Sequence, residues 1–187
     1  MNEPAEISQV SIPQGIDHRN VSVEAMTGRW WVLHTKARNE KALAVDLDKL
    51  GAVTFLPLVA GRRTLRGRPK PTRVPLFPGY VFLCGGPEER LSALRTNRIA
   101  RILEVADQDR LRADLIQIQR VVESDQPVDL YPRLRRGARC RVVRGTLAGL
   151  EGSVLRRRGL WRVYVGVEFL GQSAELEIDP DMLEIID

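Results

Sequence analysis

The chain has 187 residues, is 43% hydrophobic and 28% charged, and carries a net charge of +5. That is the composition of a soluble globular protein with room for one ordinary domain, or for one medium and one small domain. No apolar run approaches the roughly 18 residues that a spanning helix needs, the N-terminus has no basic-then-apolar signal segment, and the two cysteines, Cys84 and Cys140, are too far apart to read as a disulfide framework. The expectation is a cytoplasmic, monomeric protein with no membrane partner.

Residues 1–28 are polar and aperiodic, which predicts a disordered leader; His18 lies there with no second ligand nearby. Order is expected from Arg29. Trp30-Trp31-Val32-Leu33-His34-Thr35 predicts a first strand, on which His34 reads as a hydrogen-bonded structural residue. Asn39 suits a helix start, and Leu43, Leu47 and Leu50 form one apolar face that Gly51 ends. Val53–Leu58 predicts a second strand, confined to an edge or a strand end by Pro57.

Residues 61–73 carry six basic residues, no acid, two glycines and two prolines. Such a stretch cannot supply a core, so it reads as an exposed loop or flexible hairpin tip. Then comes Pro75-Leu-Phe-Pro-Gly-Tyr-Val-Phe82, three aromatics in a chain that is only 5% aromatic. Pro78-Gly79 marks a turn, because Pro fixes φ and Gly permits φ > 0, and Tyr80–Leu83 reads as a buried strand behind it. Two uses stay open at this point: the rings fill the core or they line a partner's surface. A short helix from Pro87, a strand at 101–105 and a helix over 111–122, with Leu115, Ile118 and Val122 on one face, complete this half.

Ser124–Pro132 reads as a linker. Beyond it, short β-branched runs alternate with glycines, and Val163, Val165 and Val167 alternate with Arg162, Tyr164 and Gly166 in the period of a half-buried strand. A small barrel of about five strands is expected there, since closure removes unpaired edges. Charge is uneven: residues 29–124 hold eighteen basic groups against ten acidic ones, which favours polyanions, nucleic acid first. No nucleophile with a base, no metal spacing and no phosphate loop is present, so the expectation is a non-enzyme with no catalytic set, no metal and no cofactor.

The Gly137, Gly145, Gly149 and Gly152 punctuation has the spacing of a KOW motif. With Trp30-Trp31, the run from His34 to Lys41, Phe55–Leu58 and Phe77-Pro78-Gly79-Tyr80, the chain resembles the NusG family of bacterial transcription elongation factors. The approach Pro75-Leu76-Phe77 and the ending from Phe169 to Glu177 are similar to its specialised RfaH-like and UpxY-like antiterminators.

The resemblance implies an α+β fold: a leader over 1–28, an N-terminal α/β sandwich over 29–123, a linker over 124–133 and a C-terminal KOW β-barrel over 134–187. It implies that the protein binds the clamp helices of the largest RNA polymerase subunit, bridges the DNA cleft and suppresses pausing or termination. Trp30, Phe77, Pro78, Gly79 and Tyr80 match the polymerase-binding positions. Arg62, Arg63, Arg66, Arg68, Lys70 and Arg73 would meet DNA near the transcription bubble through its phosphates. Phe169, Leu170, Gly171 and Gln172 match a loop that contacts the small ribosomal subunit or Rho, although Gln172 replaces the usual basic residue of the housekeeping member. The alternatives are a ribosome-associated RNA-binding KOW protein, and a housekeeping NusG-type factor coupled to Rho and the ribosome.

Overall fold

Apolar spacing resolves into a strand that is buried on both sides. In the computed structural model, which describes residues 22–65, 68–124, 126–131, 137–157 and 160–186, β1 (Trp30–Thr35) lies inside a four-stranded antiparallel sheet. The order is β2 (Val53–Phe55), β5 (Tyr80–Cys84), β1, β6 (Ile99–Glu104). Trp31, Leu33, Val81 and Leu83 pack on Leu43, Ala44 and Leu47 of α1 (Glu40–Lys49) and on Ala93 of α2 (Pro87–Arg95). Trp30, Val32 and Phe82 join a second cluster with Leu111, Leu115 and Ile118 of α3 (Gln108–Glu123). Helices on both faces explain why Trp30–Leu33 is an unbroken apolar run.

Several elements differ from the sequence reading in instructive ways. Residues 22–28 are structured rather than part of a leader: Val23 is fully buried and Met26 nearly so. The Val23 N–H donates to Gln119 Oε1 at 2.7 Å, and Arg112 donates to the Glu24 carbonyl at 2.6 Å. Two apolar residues three apart suffice to dock this short 3₁₀ turn on α3. Residues 1–21 lie outside the described residues. In α1, Leu43 and Leu47 are buried but Leu50 is 59% exposed, because the chain turns away at Gly51, whose φ is +75°. Asn39 precedes α1 without capping it; its Oδ1 instead accepts from Arg98 at 2.9 Å. α3 starts earlier than the apolar pattern, because the Asp107 side chain accepts the Arg110 N–H at 2.9 Å and caps it.

Of the loop and the hairpin expected for the basic stretch, the structure shows the hairpin, a two-stranded ribbon. β3 (Leu58–Leu65) and β4 (Arg68–Pro75) pair antiparallel with each other and with no other strand among the described residues. Pro69, Pro71 and Pro75 fall at alternating positions of β4. Proline donates no hydrogen bond, so the cross-strand bonds run through Lys70, Thr72 and Val74, and the three prolines point their nitrogens to the outer edge. The phase is consistent at the base, where the Leu76 N–H donates to the Pro57 carbonyl at 2.8 Å. It is consistent again where Lys41 of α1 donates to the outward carbonyl of Arg73.

The C-terminal half is not a closed barrel. It is one six-stranded antiparallel sheet in the order β12 (Leu183–Ile185), β8 (Ala138–Val142), β9 (Glu151–Arg157), β10 (Leu160–Val167), β11 (Gln172–Glu177), β7 (Val128–Tyr131). β7 comes from residues read as linker, drawn in by Val128, which is 9% exposed. The two edges are three- and four-residue strands, and short edge strands resist unwanted pairing without closure.

α3 packs on both sheets, and the cluster around Trp30 and Ile118 continues without a break into Cys140, Val163, Val165 and Val167. A polar seam runs along the same helix. Asp114 accepts the Glu168 N–H at 2.8 Å, Arg110 pairs with both Asp114 at 3.2 Å and Glu168 at 3.1 Å, and Arg120 donates to the Ala148 carbonyl.

Candidate functional site

The turn between β4 and β5 is held from three sides. Gly79 adopts φ +86°, where only glycine sits without strain. Its N–H donates to Glu40 Oε1 at 2.7 Å and its carbonyl accepts the Thr35 N–H at 2.8 Å. The Tyr80 N–H closes the turn on the Phe77 carbonyl at 3.2 Å. Glu40 opens α1 and Thr35 ends β1, so two elements fix where Tyr80 emerges.

The five aromatic-turn candidates divide. Trp30 and Phe77 are each 1% exposed; Phe77 stands edge-on to Phe82 with centroids 6.4 Å apart. These two rings fill the core. Pro78 is exposed, and Gly79 and Tyr80 are half-buried. Tyr80 stacks at a 32° tilt on His34, with centroids 5.2 Å apart. His34 is exposed rather than built into the interior. The partners of this site that the sequence reading passed over are therefore His34 and Glu40. Alternation placed His34 on the same face as Val32, but nothing local says where burial stops along that face.

Trp31, the second residue of the tryptophan pair, faces the other side. Its Nε1 donates to the Gly85 carbonyl at 3.1 Å, and the guanidiniums of Arg29 and Arg90 lie 4.7 and 5.3 Å from its ring.

The basic candidates rise directly from the turn. Arg73 is exposed and donates to the Leu58 carbonyl at 3.0 Å. The ribbon's register sets Arg62 opposite Pro71, Arg63 opposite Lys70 and Arg68 opposite Leu65; Arg66 lies outside the described residues. Lys41 is spent on anchoring the ribbon at Arg73.

Phe169, Leu170, Gly171 and Gln172 belong to a different place. A 3₁₀ turn over Glu168–Leu170 ends at Gly171, φ +64°. Phe169 is 38% exposed, Leu170 packs on the core, and the Glu168 N–H is tied to Asp114. Burial pushes the Asp114 carboxyl above its ordinary value, against the Glu168 hydrogen bond and the Arg110 charge that lower it. The exposed ring is thus presented from the seam with α3 rather than beside the aromatic turn.

Among the described residues, no cluster of three metal-ligating side chains occurs and no helix is long and apolar enough to cross a membrane. Among the described residues, the turn carries the exposed Pro78 and the half-buried Tyr80, and the exposed Arg73 stands near the base of the ribbon.

None of the curated protein sequences matches the chain. Among solved structures, one titled "Domain interaction in Thermotoga maritima NusG" is similar over 85% of this chain and 97% of its own, at 16% identity and a TM-score of 0.48. Another, titled "Crystal Structure of MjSpt4:Spt5 complex conformation A", covers 84% of this chain and 98% of its own, at 13% identity and a TM-score of 0.27. The profile of the family described as "Transcription termination factor nusG" matches residues 28–124, more than half of the sequence and the whole sheet that carries the turn. The chain belongs to the NusG family.

Proposed function

We propose that this protein is a transcription elongation or antitermination factor that binds the clamp helices of the largest RNA polymerase subunit, bridges the DNA cleft and suppresses pausing or termination. The observation that carries this reading is the pinned turn at Gly79, which holds Pro78 and Tyr80 at the surface beside a cationic ribbon. A helix laid against fixed aromatic and apolar groups is a common recognition mode, and a ring with its backbone already ordered loses little entropy on binding. Trp30 and Phe77 act from below, as the packing that keeps Tyr80 in place. The ribbon reaches DNA through phosphates, without sequence preference. The C-terminal half is the KOW domain of this reading, with Phe169–Gln172 as its surface for the ribosome or Rho.

The test is the affinity of the full chain for core RNA polymerase. Tyr80→Ala is expected to weaken it by about tenfold or more, as loss of a central aromatic does, with circular dichroism and thermal midpoint kept. A folded Tyr80→Ala protein that binds as tightly as the parent overturns the reading.

A further inference from the structure

Three adjacent strands place one polar residue each in a single line. His34 on β1 stands opposite Tyr80 on β5 and opposite Arg101 on β6. Neighbouring strands lie about 4.8 Å apart, so the row is about 10 Å long. It shares a face with Val32 and Phe82, both fully buried, but the cover ends before His34: His34 and Arg101 are exposed. The ladder also breaks at this point. Pairing shifts between His34 and Thr35 and leaves Ala100 as an extra residue, and a bulge at a sheet rim re-aims the side chains beside it.

Each member of the row carries hydrogen-bond donors: a phenol, an imidazole and a guanidinium. The same end of the sheet holds further cations, and their partners are neutral oxygens. Lys36 donates to the Asn97 carbonyl at 2.7 Å and to its side-chain oxygen at 2.9 Å; Lys41 donates to the Arg73 carbonyl and Arg73 to the Leu58 carbonyl. Among the described residues, none of these three pairs with a carboxylate. Two acids lie in this region: Asp46 pairs with Arg98 at 2.5 Å, and Glu40 is 8% exposed and turned to the Gly79 N–H. Lys36, Lys41, Arg73 and Arg101 therefore outnumber these acids, and the row sits in a net positive charge.

We propose that Tyr80, His34 and Arg101 form a carboxylate-reading row, the docking site for a helical protein segment that presents acidic side chains one turn apart. This rests on the polymerase reading above and names what that site recognises. Acids at i and i+4 on a helix are about 5–6 Å apart, close to the step from one strand to the next. A nucleobase is the poorer occupant, because base stacking needs an open ring face. Tyr80 is half-buried, and His34 already covers one face of its ring.

Full-length protein titrated with core RNA polymerase tests the row. Arg101→Glu and His34→Ala are each expected to weaken binding by about tenfold, Arg101→Lys by only a few-fold, and Arg101→Glu to flatten the salt dependence; unchanged thermal midpoints establish that the fold survives. If Tyr80→Ala weakens binding while Arg101→Glu and His34→Ala leave it at the parental value, the row is overturned and the polymerase reading stands. If Tyr80→Ala also binds normally, the polymerase reading falls with it. If the variants lose affinity for a single-stranded oligonucleotide and keep it for polymerase, the row reads nucleic acid and the proposal is overturned.

Discussion

Glu40 accepts the Gly79 N–H at 2.7 Å, although the two residues are 39 positions apart. The first residue of α1 thereby sets the turn that delivers Tyr80. Glu40→Ala leaves a part-buried N–H unpaired and is expected to cost about 1–3 kcal/mol, whereas Glu40→Gln keeps an acceptor oxygen and should cost less than half as much. Urea denaturation of the two variants gives the comparison; equal losses would show that the bond does not hold the turn. Gly79→Ala, at φ +86°, adds a separate strain of about 1–2 kcal/mol.

The seam between α3 and the C-terminal sheet should respond to acid. Burial raises the Asp114 carboxyl above its ordinary value, so the folded chain holds that proton more tightly than the unfolded one does. This group's contribution to stability is present below its ordinary range and is lost as pH rises through its raised native value. Asp114→Asn keeps an oxygen for the Glu168 N–H and removes the titration. Melting both proteins across the mildly acidic range should show the parent losing stability relative to the variant as pH rises; parallel curves would contradict this.

Cys140 is expected to be inert. Burial, with a smaller push from Glu151 and against a hydrogen bond from Gly152, raises its thiol to about 11, and the thiolate is the reactive species. At mildly alkaline pH, iodoacetamide should alkylate it only at the rate of unfolding, with full reaction in denaturant. Rapid labelling of the native chain, read by mass spectrometry, would rule out this packing.

The ribbon predicts an electrostatic signature. Replacing Arg62, Arg63, Arg68 and Lys70 with serine should flatten the log–log salt slope of DNA binding by about 0.9 for each phosphate contact removed. Because the register bonds are backbone bonds, stability should change by no more than about 0.5 kcal/mol for each substitution. An unchanged slope would remove the ribbon from the DNA-binding surface.

What could be read from the residues was whatever depends on near neighbours. The Val163–Val165–Val167 alternation gave β10, and Leu43 with Leu47 gave the buried face of α1. Pro78-Gly79 gave the turn. What could not be read depends on distant partners. Leu50 continues the α1 pattern yet is exposed, since nothing in the helix says where the sheet beneath it ends. Val23 and Val128 sit in polar surroundings and become core only because α3 and β11 lie nearby. The same reason hid the division among the aromatics: Trp30, Phe77 and Tyr80 look alike in the sequence, and only the position of α3 decides which are covered. The row from Tyr80 to Arg101 depends on the pairing of β1 with β6, a register with no local signature.

The alternating prolines of β4 bear on how this protein behaves in a crowd. A two-stranded ribbon rich in extended residues invites a second copy to add itself along the free side and so to grow into a fibre. On β4, Pro69, Pro71 and Pro75 offer such a strand no donor, and Lys41 already occupies the Arg73 carbonyl. On the opposite edge, Arg73 covers the Leu58 carbonyl. Such a ribbon can therefore stay unpaired at high concentration, where an edge of ordinary residues would assemble with its own kind.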